Sequence, residues 1–248
     1  MSQKLSFEEL KIMREAGKVI SYILKKLKDI VKPGINTKNI EDSFDRIIEK
    51  YKGMEPAFKG FRGFPASLCV SVNEEVIHGI PGQRRVNNGD VVSVDLGIKY
   101  KGLFVDAAYT YLVGKVSGLA KNLVKTTWRA LYEGIKKVKP GSFVGDIGFA
   151  IQNFVERKGY SVIRKFVGHG IGKELHLPPE VPNFGKNGEG EPIVEGMVLA
   201  IEPMVVAGSS EVEILSDGWT VKTKDNSLSA HFEHTVAVTK KGVWILTA

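Results

Sequence analysis

The feature that most restricts the fold of this chain is an internal repeat with a constant offset of 107 residues. The sequence VKPG at residues 31–34 occurs again at residues 138–141. The stretch at residues 89–95, apolar with an acidic last residue, aligns with residues 196–202, which have the same character. Several matches at one offset favour a duplicated structural unit over chance. We therefore expect two related halves that pack about a pseudo-twofold axis.

Each half is predicted to contain two helices followed by strands. Ser6 and Glu9 form a capping-box pattern, after which apolar residues recur at spacings of three and four as far as the first Pro-Gly pair. The third helix is expected to bury Trp128. These features predict an α+β fold in a single domain over residues 1–248, with halves at roughly 5–113 and 114–248. The other helices are expected at residues 37–51, at 119–138, and through Ile147 and Ile151 to Gly159.

Two acidic residues lie on a predicted β-hairpin within residues 89–113, where the neighbouring positions are apolar. A buried carboxylate needs a cationic partner, so Asp95 and Asp106 indicate either metal ligation or a satisfied structural role. The repeat places Glu202 at the position equivalent to Asp95. It places Glu233 at the position equivalent to Asp106, once an insertion in the second half is allowed for. The duplication therefore predicts four carboxylates that converge on one place.

Four converged carboxylates carry a formal charge of about −4, which two divalent cations would balance. A histidine that could complete such a site is His169 in the sequence GHGIG, where the flanking glycines allow a close backbone approach. A phosphate-binding loop is disfavoured, because the chain has neither GxxxxGK[ST] nor GxGxxG spacing here. The charge argument favours a centre with two metal ions.

Composition limits the class of protein and its surroundings. The net charge is +7, but the lysines are dispersed in short pairs such as Lys25-Lys26 and Lys240-Lys241, so a solvated surface is favoured over specific nucleic-acid binding. A single cysteine, Cys69, excludes an intrachain disulfide and fits a reducing compartment. Neither a signal peptide nor a long apolar span is evident. We expect a cytoplasmic protein that does not enter membranes.

Taken together, the motifs resemble those of type I, bacterial-type methionine aminopeptidases. They are VDLG, VDAAYT, GHGIG, IEPM and FEHT, in that order, and the likeness runs over nearly the whole chain. The resemblance implies the pita-bread fold, in which a central antiparallel sheet is covered by helices. It implies two bound metal ions, bridged by Asp106 and Glu233, with Asp95 on one ion and His169 and Glu202 on the other.

The same resemblance implies how substrate is bound and cleaved. Water activated by the two ions would attack the first peptide bond, and Glu202 would carry the proton to the leaving amine. His78, in HGIP, and His176 would donate hydrogen bonds to the peptide as charge develops. The pocket for the methionine side chain would be formed by Phe61, Phe64, Cys69, Leu175 and Trp219, with phenylalanines where relatives often carry tyrosine.

The two histidines beside Glu233 need a separate interpretation. On a strand, His231 shares a face with Glu233, whereas His234 points to the other side. Direct ligation is therefore not expected from either. A hydrogen bond to a metal ligand is the better hypothesis for both.

Cofactors and partners are expected as follows. Four oxygen ligands and one nitrogen suit Mn, Fe or Co, and zinc remains open. Backbone oxygens of Asn73, Glu75 and Ser229 are expected to bind a monovalent cation, as in relatives. The substrates would be the N-termini of nascent polypeptides, with a transient ribosome contact through the basic surface and a monomeric enzyme. Two alternatives stay open, an X-Pro aminopeptidase of the same fold and a non-catalytic peptide-binding relative.

Overall fold

The computed structural model describes residues 3–248. Two pairs of helices each precede a set of strands. Helices α1 (Phe7–Leu27) and α2 (Thr37–Ile48) come before the first set, and α3 (Gly118–Ile135) and α4 (Val144–Glu156) come before the second. The predicted α+β class is confirmed. None of the described helices is long and apolar enough to cross a membrane.

The strands form antiparallel sheets. The first set comprises β1 (Met54–Pro56), β2 (Leu68–Val72), β3 (Glu75–Ile77), β4 (Val91–Tyr100) and β5 (Leu103–Leu112). The second set comprises β6 (Ser161–Val162), β7 (Gly168–Gly170), β8 (Leu177–Val181), β9 (Val198–Ile201), β10 (Met204–Val206), β11 (Val212–Ile214), β12 (Val221–Thr223), β13 (Ser229–His231), β14 (His234–Thr239) and β15 (Gly242–Ile245).

Helix α1 begins as its sequence predicts. The Ser6 side chain accepts a hydrogen bond from the Glu9 amide, and the Glu9 carboxylate accepts one from the Ser6 amide at 2.8 Å. The helix ends at Leu27, however, six residues before Pro33, because turn-type hydrogen bonds replace the helical pattern beyond Lys28. Val31 is nevertheless buried, so the apolar stripe continues into this turn.

Helix α3 differs from its prediction at one residue. Trp128 is 45% exposed, so the expectation that it is buried was wrong. Its ring instead lies 4.9 Å from that of Tyr132 on the same helix. The fully buried positions of α3 include Thr127 and Leu123, and Leu123 belongs to the core beneath the second set of strands. Trp128 therefore lies at the edge of the apolar face of α3, where its ring is partly exposed.

The long hairpin β4–β5 is the centre of the first sheet. Strand β4 pairs with β1, β2 and β5, and the second large sheet has the order β15-β14-β9-β7-β8. The two sheets meet where the Glu233 amide donates to the Ala108 carbonyl at 3.0 Å. The Asp106 amide also donates to the Thr235 hydroxyl at 3.1 Å. These bonds bring the acidic residues of both strand systems to one place.

The apolar cores lie on the helix side of each strand set. One contains Met13, Ile20 and Phe44 beneath the first sheet, and the other contains Leu123 and Ile147 beneath the second. Polar groups of the site are therefore confined to the opposite face of the strands. This division explains how a carboxylate cluster is accommodated without interrupting either core.

Candidate active site

Asp95 and Asp106 project from the same face of the β4–β5 hairpin. Asp95 lies opposite Ala108, and Asp106 lies opposite Gly97. Because side chains alternate along a strand, this register makes the two carboxylates diagonal neighbours. The hairpin alone therefore supplies two acidic groups to one point.

Thr235 fixes Asp106 from the second half of the chain. Its hydroxyl donates to Oδ1 of Asp106 at 2.9 Å, which leaves Oδ2 free to face the cavity. Glu233, two residues before Thr235, is held by the hydrogen bond from its backbone amide to the Ala108 carbonyl. Both carboxylates are almost fully buried, with exposures of 2% each.

His169 lies on β7, between β8 and β9. A side chain at Gly168 or Gly170 would collide with backbone oxygens of the neighbouring strands, so both positions require glycine. The His169 Nδ1 atom is 2.9 Å from the Gly170 carbonyl, which leaves Nε2 as the nitrogen that faces the carboxylates. It lies 3.5 Å from Asp106 Oδ2 and 3.6 Å from Glu202 Oε1.

Glu202 directly follows β9. Its backbone carbonyl accepts a hydrogen bond from Asn183 Nδ2 at 3.0 Å, and Asn183 is 1% exposed. The backbone of Glu202 is therefore fixed, and its carboxylate is directed at His169. Ligand atoms of Asp106, His169 and Glu233 all lie within 4.8 Å of one another.

Burial dominates the electrostatics of this cluster. It raises the pKa of Asp95, Glu202 and Glu233 well above the ordinary carboxyl values, and the neighbouring carboxylates raise them further. Burial raises the pKa of Asp106 to about 6, although the hydrogen bond from Thr235 opposes the shift. Burial also lowers the pKa of His169 to about 4, so the ring is neutral and can act as a ligand.

The cluster has the properties of a divalent-metal site. Within residues 3–248, no lysine or arginine nitrogen lies within 4.0 Å of any of the four carboxylates, and the basic groups at that distance are the rings of His169 and His231. Oδ1 of Asp95 is buried without a hydrogen-bond partner in the described part of the chain. An unsatisfied buried carboxylate oxygen is costly unless a cation binds it. Oxygen donors with one imidazole fit Mn²⁺, Fe²⁺, Co²⁺ or Zn²⁺.

A cavity of about 540 Å³ opens onto the cluster. The twelve residues predicted from the sequence as ligands, catalytic groups or pocket wall all line it. They are Phe61, Phe64, Cys69, His78, Asp95, Asp106, His169, Leu175, His176, Glu202, Trp219 and Glu233. The volume lies within the usual range for a small-ligand site.

Two histidines flank the cavity. His176 makes an edge contact with His169, with ring centroids 4.2 Å apart, and a second one with Phe61. His78 directly follows β3 and has a φ of 59°, a left-handed conformation that is uncommon for residues other than glycine. Burial lowers the pKa of both rings to about 4, so both are neutral hydrogen-bond donors at neutral pH.

The part of the cavity wall beside the carboxylates is aromatic and apolar. Phe64 and Trp219 are in edge contact at 5.1 Å, and Cys69 and Leu175 are almost fully buried. Burial raises the pKa of the Cys69 thiol well above its usual value, so the thiol is a neutral wall group. The pocket can therefore take an apolar side chain.

The insertion in the second half supplies Trp219. It forms the β11–β12 hairpin, which pairs with β3 of the first half. Asp217 shapes the turn, because its Oδ1 accepts hydrogen bonds from the amides of Trp219 and Thr220 at 2.8 Å each. The insertion thus carries an aromatic side chain across to the cavity.

Sequence reasoning missed some lining residues, and it expected hydrogen bonds to metal ligands that neither His231 nor His234 makes in the described part of the chain. Ile77, Phe166, Arg62 and Glu180 also line the cavity. The signal for Ile77 and Phe166 was their closeness to the HGIP and GHGIG motifs. His234 was expected to form a hydrogen bond to a metal ligand, and this was wrong. Its Nδ1 atom lies 2.8 Å from the Thr247 hydroxyl and its Nε2 atom 3.2 Å from the Tyr132 hydroxyl.

Asn73 and Ser229, two of the three residues expected to bind a monovalent cation, are adjacent in space. The Ser229 amide donates to the Asn73 carbonyl at 2.8 Å. The Glu75 carboxylate accepts a hydrogen bond from the Val72 amide and forms an ion pair with Arg84. The cation itself stays a prediction.

Comparison with known proteins assigns the family. A model of metallopeptidase family M24 matches residues 11–240. Methionine aminopeptidase 1 of Bacillus subtilis (strain 168) is 48% identical over 239 residues, 96% of each chain. The methionine aminopeptidase of Clostridium perfringens (strain 13 / Type A) is 49% identical over 239 residues, again 96% of each chain.

Solved structures agree with this assignment. The crystal structure of methionine aminopeptidase from Thermotoga maritima has a TM-score of 0.97 at 44% identity and covers 100% of this chain and 99% of that one. A prolidase from Pyrococcus horikoshii OT3 shares only the fold, with a TM-score of 0.80 at 21% identity over 63% of its own length. The pita-bread fold is thereby confirmed. This chain belongs to metallopeptidase family M24 and, within it, to the methionine aminopeptidases.

Proposed function

We propose that this chain is a metal-dependent methionyl aminopeptidase, a hydrolase that removes the initiator methionine from nascent proteins. The observation that carries the proposal is the juxtaposition of a buried carboxylate–histidine cluster with an apolar, aromatic cavity. The cluster suits activation of water, and the cavity suits the side chain of an N-terminal methionine.

The residues proposed to hold two divalent ions are Asp95, Asp106, His169, Glu202 and Glu233. The almost fully buried Asp106 and Glu233 would hold both ions, Asp95 would hold one of them, and His169 with Glu202 would hold the other. Their charge balance supports two ions, and their donor atoms favour Mn, Fe or Co over softer metals. Ions bound there would acidify a water molecule and polarise the scissile carbonyl.

Glu202 is the proposed proton carrier. Its carboxylate reaches the cavity while its backbone is fixed by Asn183. A carboxylate whose pKa is raised by burial can accept a proton from the attacking water and return it to the leaving amine near neutral pH.

His78 and His176 are the proposed hydrogen-bond donors to the peptide. Both rings are neutral and line the cavity beside the cluster. A neutral imidazole N–H can stabilise the oxygen that becomes negative as the carbonyl is attacked. The wall formed by Phe61, Phe64, Cys69, Leu175 and Trp219 would hold the methionine side chain and exclude water from it.

We also propose further features of the enzyme. The chain would act as one monomeric domain with halves at about 5–113 and 114–248, in the cytoplasm, with a monovalent cation near Asn73, Glu75 and Ser229. Its net charge of +7 supports a transient contact with the anionic ribosome. Charge reversal at Lys25-Lys26 and Lys240-Lys241 should reduce co-sedimentation with ribosomes, and unchanged co-sedimentation would remove this part of the proposal.

The activity is tested with two peptides of similar length. The proposal expects cleavage of Met-Ala-Ser and little cleavage of an X-Pro peptide, whereas the reverse preference would assign the chain to the X-Pro enzymes. Chelation should abolish the activity, and added Mn²⁺ or Co²⁺ should restore it. Peptide binding without turnover under any metal condition would support the non-catalytic alternative.

A further inference from the structure

His231 is a buried polar residue beside the site, and the proposed reaction assigns it no role. It is 1% exposed, and its Nε2 atom has no hydrogen-bond partner within residues 3–248. The polar atom that Nε2 faces is Oε2 of Glu202, at 3.7 Å. The other oxygen of the same carboxylate, Oε1, lies 3.6 Å from Nε2 of His169. The Glu202 carboxylate is therefore placed between two imidazoles.

The backbone of His231 is fixed on both sides. Its amide donates to the Thr110 hydroxyl at 3.0 Å, and the same hydroxyl donates to the His231 carbonyl at 2.6 Å. Strand β13 also pairs His231 with Met204, two residues after Glu202. This scaffold holds the imidazole against Glu202 from a neighbouring strand.

Glu202 has one freedom left. Asn183 fixes its backbone carbonyl, but no hydrogen bond from another side chain holds its carboxylate within the described chain. A shift of about 0.5–1 Å would bring His231 Nε2 and Oε2 to hydrogen-bonding distance. Such bonds are commonly long in a ligand-free protein and shorten in the complex.

We propose that His231 is a positioning residue for Glu202. The Nε2–H group of its neutral ring donates to Oε2, which stops the carboxylate from rotating and keeps Oε1 directed at His169. The inference rests on the proposed role of Glu202 as ligand and proton carrier. Removal of the donor should lower both metal affinity and turnover, because partners of metal ligands commonly contribute 10- to 100-fold to either.

The tautomer of His231 provides a test that does not depend on activity. Nitrogen-15 NMR of the metal-loaded protein distinguishes an Nε2–H ring from an Nδ1–H ring. The proposal expects Nε2–H at His231. An Nδ1–H ring would overturn it, because Nε2 would then be an acceptor facing a carboxylate.

The matched variants are His231→Leu, His231→Gln and His234→Leu. His234 is the control, since it adjoins Glu233 but bonds Tyr132 and Thr247 away from the cavity. His231→Leu should weaken Mn²⁺ binding by calorimetry about 10-fold or more and lower kcat similarly, with little change in KM. His231→Gln, which keeps an N–H donor, should recover most of both.

Two results would contradict the proposal. One is a His231→Leu variant whose metal affinity and kcat equal those of the wild type. The other is an equal loss in His231→Leu and His234→Leu, which would show a general packing effect. If His231→Leu does not fold, the tautomer and the glutamine variant still decide. If the wild type fails to cleave Met-Ala-Ser, the proposed function falls, whereas the tautomer and metal affinity still test His231.

Discussion

The Nε2 atom of His169 lies 3.5 Å from Oδ2 of Asp106, although the two residues come from different halves of the chain. Neither half contains the site by itself. The hairpin of the first half supplies Asp95 and Asp106, and the second half supplies His169, Glu202 and Glu233. Folding of both halves is therefore needed before a divalent ion can be bound with high affinity, and metal binding should stabilise the whole domain.

Metal removal should destabilise the protein. Without a cation, four buried carboxylates repel one another and Asp95 Oδ1 stays unsatisfied. Adding Mn²⁺ to the stripped protein should raise its unfolding temperature. At a Mn²⁺ concentration of a hundred times Kd, the unfolding free energy should increase by about 2.7 kcal/mol. An unfolding temperature that does not respond to Mn²⁺, Fe²⁺, Co²⁺ or Zn²⁺ would contradict this prediction.

Asp106→Asn should make the stripped protein more stable, in a pH-dependent way. The folded-state pKa of Asp106 is raised to about 6, so wild-type stability from this group is present at low pH and is lost as pH rises through that value. The advantage of the variant should therefore grow between about pH 4 and 7, towards roughly 3 kcal/mol. Urea unfolding at several pH values measures it.

Asp225→Asn is the control for that series. The hydrogen bond from the Ser209 amide lowers the pKa of Asp225, so the sign is opposite: its stabilisation is present at higher pH and is lost as pH falls. Asp225→Asn should be slightly less stable than the wild type at neutral pH, and this difference in unfolding free energy should disappear as pH falls. It should gain no stability at high pH. The same pH trend in both variants would show that the Asp106 effect is not local.

His78→Ala and His176→Ala should lower kcat more than they raise KM. Each removes a neutral donor proposed to act as negative charge develops in the transition state, an effect worth about 10²–10³ in kcat. Steady-state kinetics on Met-Ala-Ser measure the split. A rise in KM alone would mean that these rings bind ground-state substrate instead.

Trp219→Ala should raise KM for a methionine substrate. The substitution removes the ring that packs at 5.1 Å against Phe64 and opens the apolar wall, so a loss of about 10-fold in kcat/KM is expected. Trp128→Ala is the control, because Trp128 is 45% exposed and does not line this cavity. Comparable losses in both variants would argue against a pocket role for Trp219.

The sequence predicted which helices and strands form, and which residues line the cavity, better than it predicted where helices end and which side chains are exposed. The 107-residue repeat and the hairpin were sufficient to place Asp95, Asp106 and two glutamates together, because an internal repeat and the alternation of side chains along a strand can both be read from the sequence. Trp128 was misplaced because its exposure depends on how far the neighbouring layer extends, which periodicity does not contain. Likewise, the direction of His234 is set by the distant Thr247 and Tyr132.

The central claim, that the five clustered residues hold two divalent ions, is tested most directly by anomalous diffraction from a Mn²⁺-soaked crystal. The account predicts two anomalous peaks within bonding distance of Asp95, Asp106, His169, Glu202 and Glu233, and the loss of at least one peak in Asp106→Asn. Full occupancy of Mn²⁺ elsewhere with no peak at this cluster, in crystals of active enzyme, would contradict it.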